Sequence, residues 1–110
     1  MEALVVEVNA LRQQYRDVAA AHSQLLTQQN ECTTELEILE DDAKIYKSTG
    51  PILTTQSKSD AMMTITKRME YIAAELEKKS DAMTSLQKSI EDKCRKLDAS
   101  SAQQNIARSN

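Results

Sequence analysis

Lys44-Ile45-Tyr46-Lys47-Ser48-Thr49-Gly50-Pro51-Ile52-Leu53-Thr54-Thr55-Gln56 contains the only glycine and the only proline of the chain, adjacent at Gly50 and Pro51. β-branched residues crowd both flanks: Ile45 and Thr49 before the pair, then Ile52, Thr54 and Thr55 after it. Two extended runs about a Gly-Pro turn predict a short β-hairpin over residues 45–56. An irregular loop is the plainer alternative. Everything on either side reads as helix, so the chain is expected to be two long helices folded about one small strand pair.

The arm before the hairpin carries apolar residues at Leu4, Val8, Leu11, Tyr15, Val18, Leu25, Cys32, Leu36, Leu39, Ala43 and Tyr46. With His22 and Gln29 filling the gaps, every step is four or three, a sustained heptad seam. A helix over residues 2–44 would be on the order of 65 Å long, and it would need a partner along that seam to be stable. His22 and Gln29 read as register elements rather than as ligands. The acids Glu35, Glu37, Glu40, Asp41 and Asp42 near the end of this arm read as a solvated shoulder.

After the hairpin, Ser57 or Ser59 can cap a helix and Asp60 suits its positive end. A second seam runs through Met62, Ile65, Met69, Ile72, Leu76, Lys79, Met83, Leu86, Ile90, Lys93 and Leu97. Lys79 and Lys93 interrupt it, and their aliphatic stems can cover apolar surface. From Ala99 the pattern dissolves into Ser, Gln and Asn. The organisation expected is one domain over residues 1–98 (helix 2–44, hairpin 45–56, helix 59–98), then a flexible polar tail over 99–110.

Composition agrees with that reading. Aromatic residues make up 3% of the 110, too little bulk for an ordinary globular core, while charged residues make up 28%. Residues 1–46 carry a net charge of −6 and residues 47–110 carry +3, which favours arms lying against each other. The chain is not basic enough to argue for nucleic acid. No apolar stretch approaches the roughly 20 residues that span a bilayer, and no signal peptide is expected. No nucleophile–base pair, phosphate-binding glycine loop or clustered metal ligands is present, so neither an enzyme nor a cofactor is expected. The protein reads as cytoplasmic.

Two similar seams joined by about a dozen residues pair most simply as an antiparallel coiled coil. Folding about Gly50-Pro51 places Cys32 near Ile72, Gln29 near Lys79, and Cys94 near the start of the first arm. The two cysteines would lie on the order of 30 Å apart, beyond the reach of a disulfide. A lone two-stranded hairpin is marginal in water and leaves two unpaired edges. Those edges are expected to pair with other chains in a shared sheet or barrel.

Tyr46-Lys47-Ser48-Thr49-Gly50-Pro51-Ile52-Leu53, followed by Lys67-Arg68-Met69-Glu70-Tyr71-Ile72, resembles the β-class prefoldin subunits, most of all the subunit-6 type. With the heptad arms, the resemblance covers roughly residues 4–98. It implies a hetero-hexamer of two α-class and four β-class subunits whose hairpins build a double β-barrel body. Coiled-coil rods would hang from that body. Their tips would hold unfolded proteins such as actin and tubulin for the cytosolic chaperonin, without ATP.

On that reading the client-binding tip comprises Leu4, Val5, Val6, Val8 and Leu11 opposite Ile90 and Leu97. Val5 and Val6 lie off the seam and so remain free for a client. Lys93, Arg95 and Lys96 read as a solvated basic face that could also attract acidic clients or a chaperonin surface. Tyr46, Gly50, Pro51, Ile52, Leu53 and Thr54 would form the subunit interface, with Met63 and Tyr71 packing beside it. The rival reading is a structural coiled-coil adaptor or tether with no client-holding activity.

Overall fold

The protein, seen in a computed structural model, is described over residues 2–49 and 55–109, with side chains over 2–42 and 58–101. Two helices make up the described residues: α1, Glu2–Thr49, and α2, Thr55–Ser109. Neither helix contains glycine or proline. Both are rich in Ala, Leu, Glu, Gln and Lys, which lose little side-chain freedom in a helix. Threonines inside the helices satisfy their own hydroxyls: Thr33 donates to the Gln29 carbonyl at 2.9 Å and Thr66 to the Met62 carbonyl at 2.8 Å.

The chain divides into two compact units. Unit 1 contains Met1–His22 and Lys79–Asn110, and unit 2 contains Ser23–Lys78. In unit 2, Cys32, Ile65 and Ile72 are buried, and Leu25, Leu36, Leu39, Met69 and Leu76 pack against them. Cys32 and Ile72 thus share one cluster, as folding about Gly50-Pro51 required. Asp42 meets Lys58 at 3.7 Å, and Glu35 meets Arg68 at 3.9 Å. Stepping back along α1 from 42 to 35 moves the partner forward along α2, so the helices run antiparallel here. The exposed Glu35–Arg68 pair is worth only a few tenths of a kcal/mol, but both pairs mark the register.

In unit 1, Val8 is buried. Leu4, Leu11, Tyr15, Val18 and His22 on α1 are half-buried, as are Lys79, Met83, Leu86, Ile90, Lys93 and Leu97 on α2. Early residues of α1 meet late residues of α2: the Lys93 ammonium contacts the Glu7 carboxylate at 2.8 Å. Every predicted seam position with a described side chain is buried or half-buried, including the two lysines and Gln29.

The strand pair predicted over 45–56 is not found among the described residues. Residues 45–49 continue α1 and residues 55–56 open α2, while 50–54 lie outside the described residues. Once a helix is nucleated, each added residue gains a hydrogen bond, and β-branched Ile45 and Thr49 cost only tenths of a kcal/mol each. A two-stranded hairpin in this single chain would have had no partner for either outer edge. For the same reason α1 runs past its expected end at 44, and α2 begins at Thr55 rather than 59. The stretch read as a polar tail from Ala99 carries helical backbone to Ser109.

Candidate functional site

All seven residues expected to bind clients lie in unit 1, and helix geometry sorts them. Val8 lies in the seam and is 3% exposed, so it is committed to packing between the helices. Leu4, Leu11, Ile90 and Leu97 are half-buried along the same seam. Val5 and Val6 fall one and two residues past Leu4, a rotation of roughly 100° per residue away from the seam. They are 45% and 66% exposed. Two adjacent apolar side chains therefore face water beside a packed one.

Charged groups frame this patch. Lys93 occupies a seam position with its stem half-covered, and its ammonium is held by Glu7. That contact, and the Lys93 charge itself, hold the Glu7 carboxyl below the usual carboxylate range, with a smaller contribution from Lys96. On the opposite flank of the seam, the Arg12 guanidinium donates to the Cys94 sulfur at 3.8 Å. This contact puts Cys94 beside the start of α1, as the folding scheme required. Arg95 pairs with Asp92 one turn before it on α2.

The expected subunit interface is divided. Met63 and Tyr71 stand on α2 in unit 2, off the seam, 55% and 64% exposed. They are eight positions apart, about 12 Å along the helix. Tyr46 lies in α1 with its side chain outside the described residues, and Gly50, Pro51, Ile52, Leu53 and Thr54 lie outside them altogether.

Sequence reasoning missed two further exposed apolar residues of unit 2, Leu26 at 42% and Ile38 at 57%. The signal was there: like Val5 and Val6, they are large aliphatics out of step with the three-four spacing. Among the described residues no group of three or more His, Cys, Asp or Glu could hold a metal ion. Nor is any described helix long and apolar enough to cross a membrane. A shallow groove lined by Thr27, Asn30, Glu31, Thr34 and Glu35 lies on α1 alone. Lined from one side, it encloses nothing.

Comparison with known proteins points one way. Residues 2–104 match a family described as prefoldin subunit. A Dictyostelium discoideum protein named "Probable prefoldin subunit 6" is 47% identical over 58 residues, 50% of this chain and 41% of its own length. Prefoldin subunit 6 of Mus musculus is 33% identical over 79 residues, 72% of this chain and 54% of its own length. A Plasmodium falciparum relative named "Probable prefoldin subunit 6" is 26% identical over 106 residues, 94% of this chain and 89% of its own. The match thus spans about two fifths of the first of these relatives and nearly all of the last. No solved structure matches the chain.

Proposed function

The chain belongs to the prefoldin subunit family, and from that membership we propose that it is a β-class, subunit-6-type member of a hetero-hexameric co-chaperone. In this reading it catalyses nothing and uses no ATP or other cofactor. It holds unfolded or nascent proteins such as actin and tubulin at the N-terminal turns of α1 and the facing part of α2. It then passes them to the cytosolic chaperonin, in the cytoplasm.

The observation that carries this reading is the exposure of Val5 and Val6 beside buried Val8. A helix that needed only to pack would gain nothing from adjacent valines on its open side. An exposed apolar pair binds an unfolded chain weakly. Several such pairs on one assembly would bind it strongly, because each later contact is intramolecular. A tether with no client-holding activity has no use for that pair.

Assembly would rest on residues 45–56. In the isolated chain, 45–49 and 55–56 are helical. Beside neighbouring subunits with open strand edges, the segment would exchange those helical hydrogen bonds for ladder bonds and build the β-barrel body, with Met63 and Tyr71 packed against it. Ile52→Asp with Leu53→Asp is expected to leave the chain unable to join its α-class and β-class partners. Native mass spectrometry of the mixture reads this directly, and an intact hexamer with that variant would refute the assembly role.

The tip is tested by Val5→Ser with Val6→Ser. Assembly is expected to survive while suppression of aggregation of a denatured client falls several-fold. Unchanged suppression would count against the tip.

A further inference from the structure

The exposed valines of unit 1 do not stand in a neutral setting. Val5 and Arg12 are one heptad apart, so they share a face of α1 about 10 Å apart along the axis. Among the described residues, the partner of the Arg12 guanidinium is the Cys94 sulfur at 3.8 Å. A thiol is a weak acceptor, and a guanidinium has five donors in a planar fork suited to a carboxylate. Arg12 is exposed, with no carboxylate bound to it among the described residues.

The other flank repeats the arrangement. Val6 adjoins Glu7, whose charge is taken by Lys93 at 2.8 Å. Lys96 is exposed and adds to the positive field that Lys93 sets up at Glu7, the residue next to Val6. Among the described residues, Arg12 on the Val5 flank thus has no carboxylate contact, and Lys96 adds positive field on the Val6 flank, against the exposed acid Glu2 a turn before both valines.

We propose that this end of unit 1 selects extended polypeptide segments carrying a carboxylate about three residues from an apolar side chain. The apolar group covers Val5 or Val6, and the carboxylate meets the Arg12 fork or the Lys96 ammonium. The spacing follows from the 10 Å between Val5 and Arg12, which an extended chain covers in roughly three residues. The selectivity rests on the tip being a client site at all, and it adds which segments that tip prefers. A lysine in place of the carboxylate meets repulsion from the same two cations.

The test uses the full chain assembled with its partner subunits, carrying Ala10→p-benzoylphenylalanine, an exposed position one turn beyond Val6. Short fluorescent peptides with one apolar pattern and Glu, Gln or Lys about three positions along are photo-crosslinked to it. The expected order of yield is Glu over Gln over Lys. Each step should be about two- to five-fold, the range of an exposed ion pair, and should shrink as salt rises. Arg12→Gln with Lys96→Gln should flatten the order. If that double variant fails to fold, the order and salt dependence of the unaltered chain decide the matter. Equal yields for the three peptides would overturn the charge selectivity and leave the tip reading standing. No crosslink to any of them would overturn both.

Discussion

In unit 2 the helices close over Cys32, Ile65 and Ile72, which are 4%, 7% and 2% exposed; in unit 1, among the described residues, only Val8 is as well covered. The seam spacing is the same in both units. What differs is what fills it. Apart from Gln29, unit 2 is filled by branched and sulfur-bearing side chains, while unit 1 places lysine at 79 and 93 and histidine at 22. Polar side chains hold the helices in register but leave their neighbours half-wetted. Charge differs too: the formal charges of unit 1 sum to +1 and those of unit 2 to −4. Packing strength and apolar exposure can therefore be set separately along one pair of helices.

The contrast breaks most readily at the core of unit 2. Ile72→Ala should cost about 2–4 kcal/mol in urea denaturation monitored by circular dichroism. Val8→Ala in unit 1 should cost about 1–2 kcal/mol, since less apolar area is lost around it. Equal losses would mean that the two units are packed alike. Amide exchange sharpens the point: amides around Ile72 should be better protected than those around Val8.

A smaller effect separates the exposed residues of the two units. Met63→Ser with Tyr71→Ser should weaken assembly roughly tenfold in a native-mass titration, as loss of an aromatic anchor does. Client suppression per assembled complex should stay as it was. If clients were lost instead of assembly, the division of labour between the units would fail.

Next in size is the Glu7–Lys93 contact. Because the Glu7 carboxyl is held low by Lys93, the contact is fully present above the ordinary carboxylate range. It is lost as pH falls through the lowered value. Lys93→Gln should move the Glu7 titration, followed by carboxyl NMR shifts, back up toward that range. An unmoved titration would remove Lys93 as the cause. Smallest of all, Arg68→Gln should change stability by no more than about 0.5 kcal/mol, because both partners of that pair are more than half exposed.

The seam was legible because three-four spacing is written at every turn and each step confirms the last. Even Lys79 and Lys93 could be assigned to it, since a lysine stem occupies an apolar position without its charge being buried. The bend was less legible. Ile45 and Thr49 favour strands by composition, yet α1 continues through both, because a strand depends on a neighbour that its own sequence does not contain. Val5 and Val6 were found by their place off the seam. Leu26 and Ile38 satisfy the same rule, but each adjoins a seam leucine, Leu25 or Leu39, so neither stands out as a pair free of the seam.

The Lys93–Glu7 contact also bears on how the helices find their alignment. A heptad repeat is degenerate: sliding one helix by seven residues restores apolar against apolar, and fraying of helix ends can absorb the offset. Seven residues beyond Glu7 stands Gln14. A chain zipped one heptad out would leave the Lys93 ammonium beside an amide instead of an anion, still half-covered by the seam. The slipped frame would lack that ion pair, and it would be less stable than the correct one by about the worth of a partly exposed pair, ~0.5 kcal/mol. The Lys93–Glu7 contact thus biases the helices toward one of several frames that the hydrophobic pattern alone would accept.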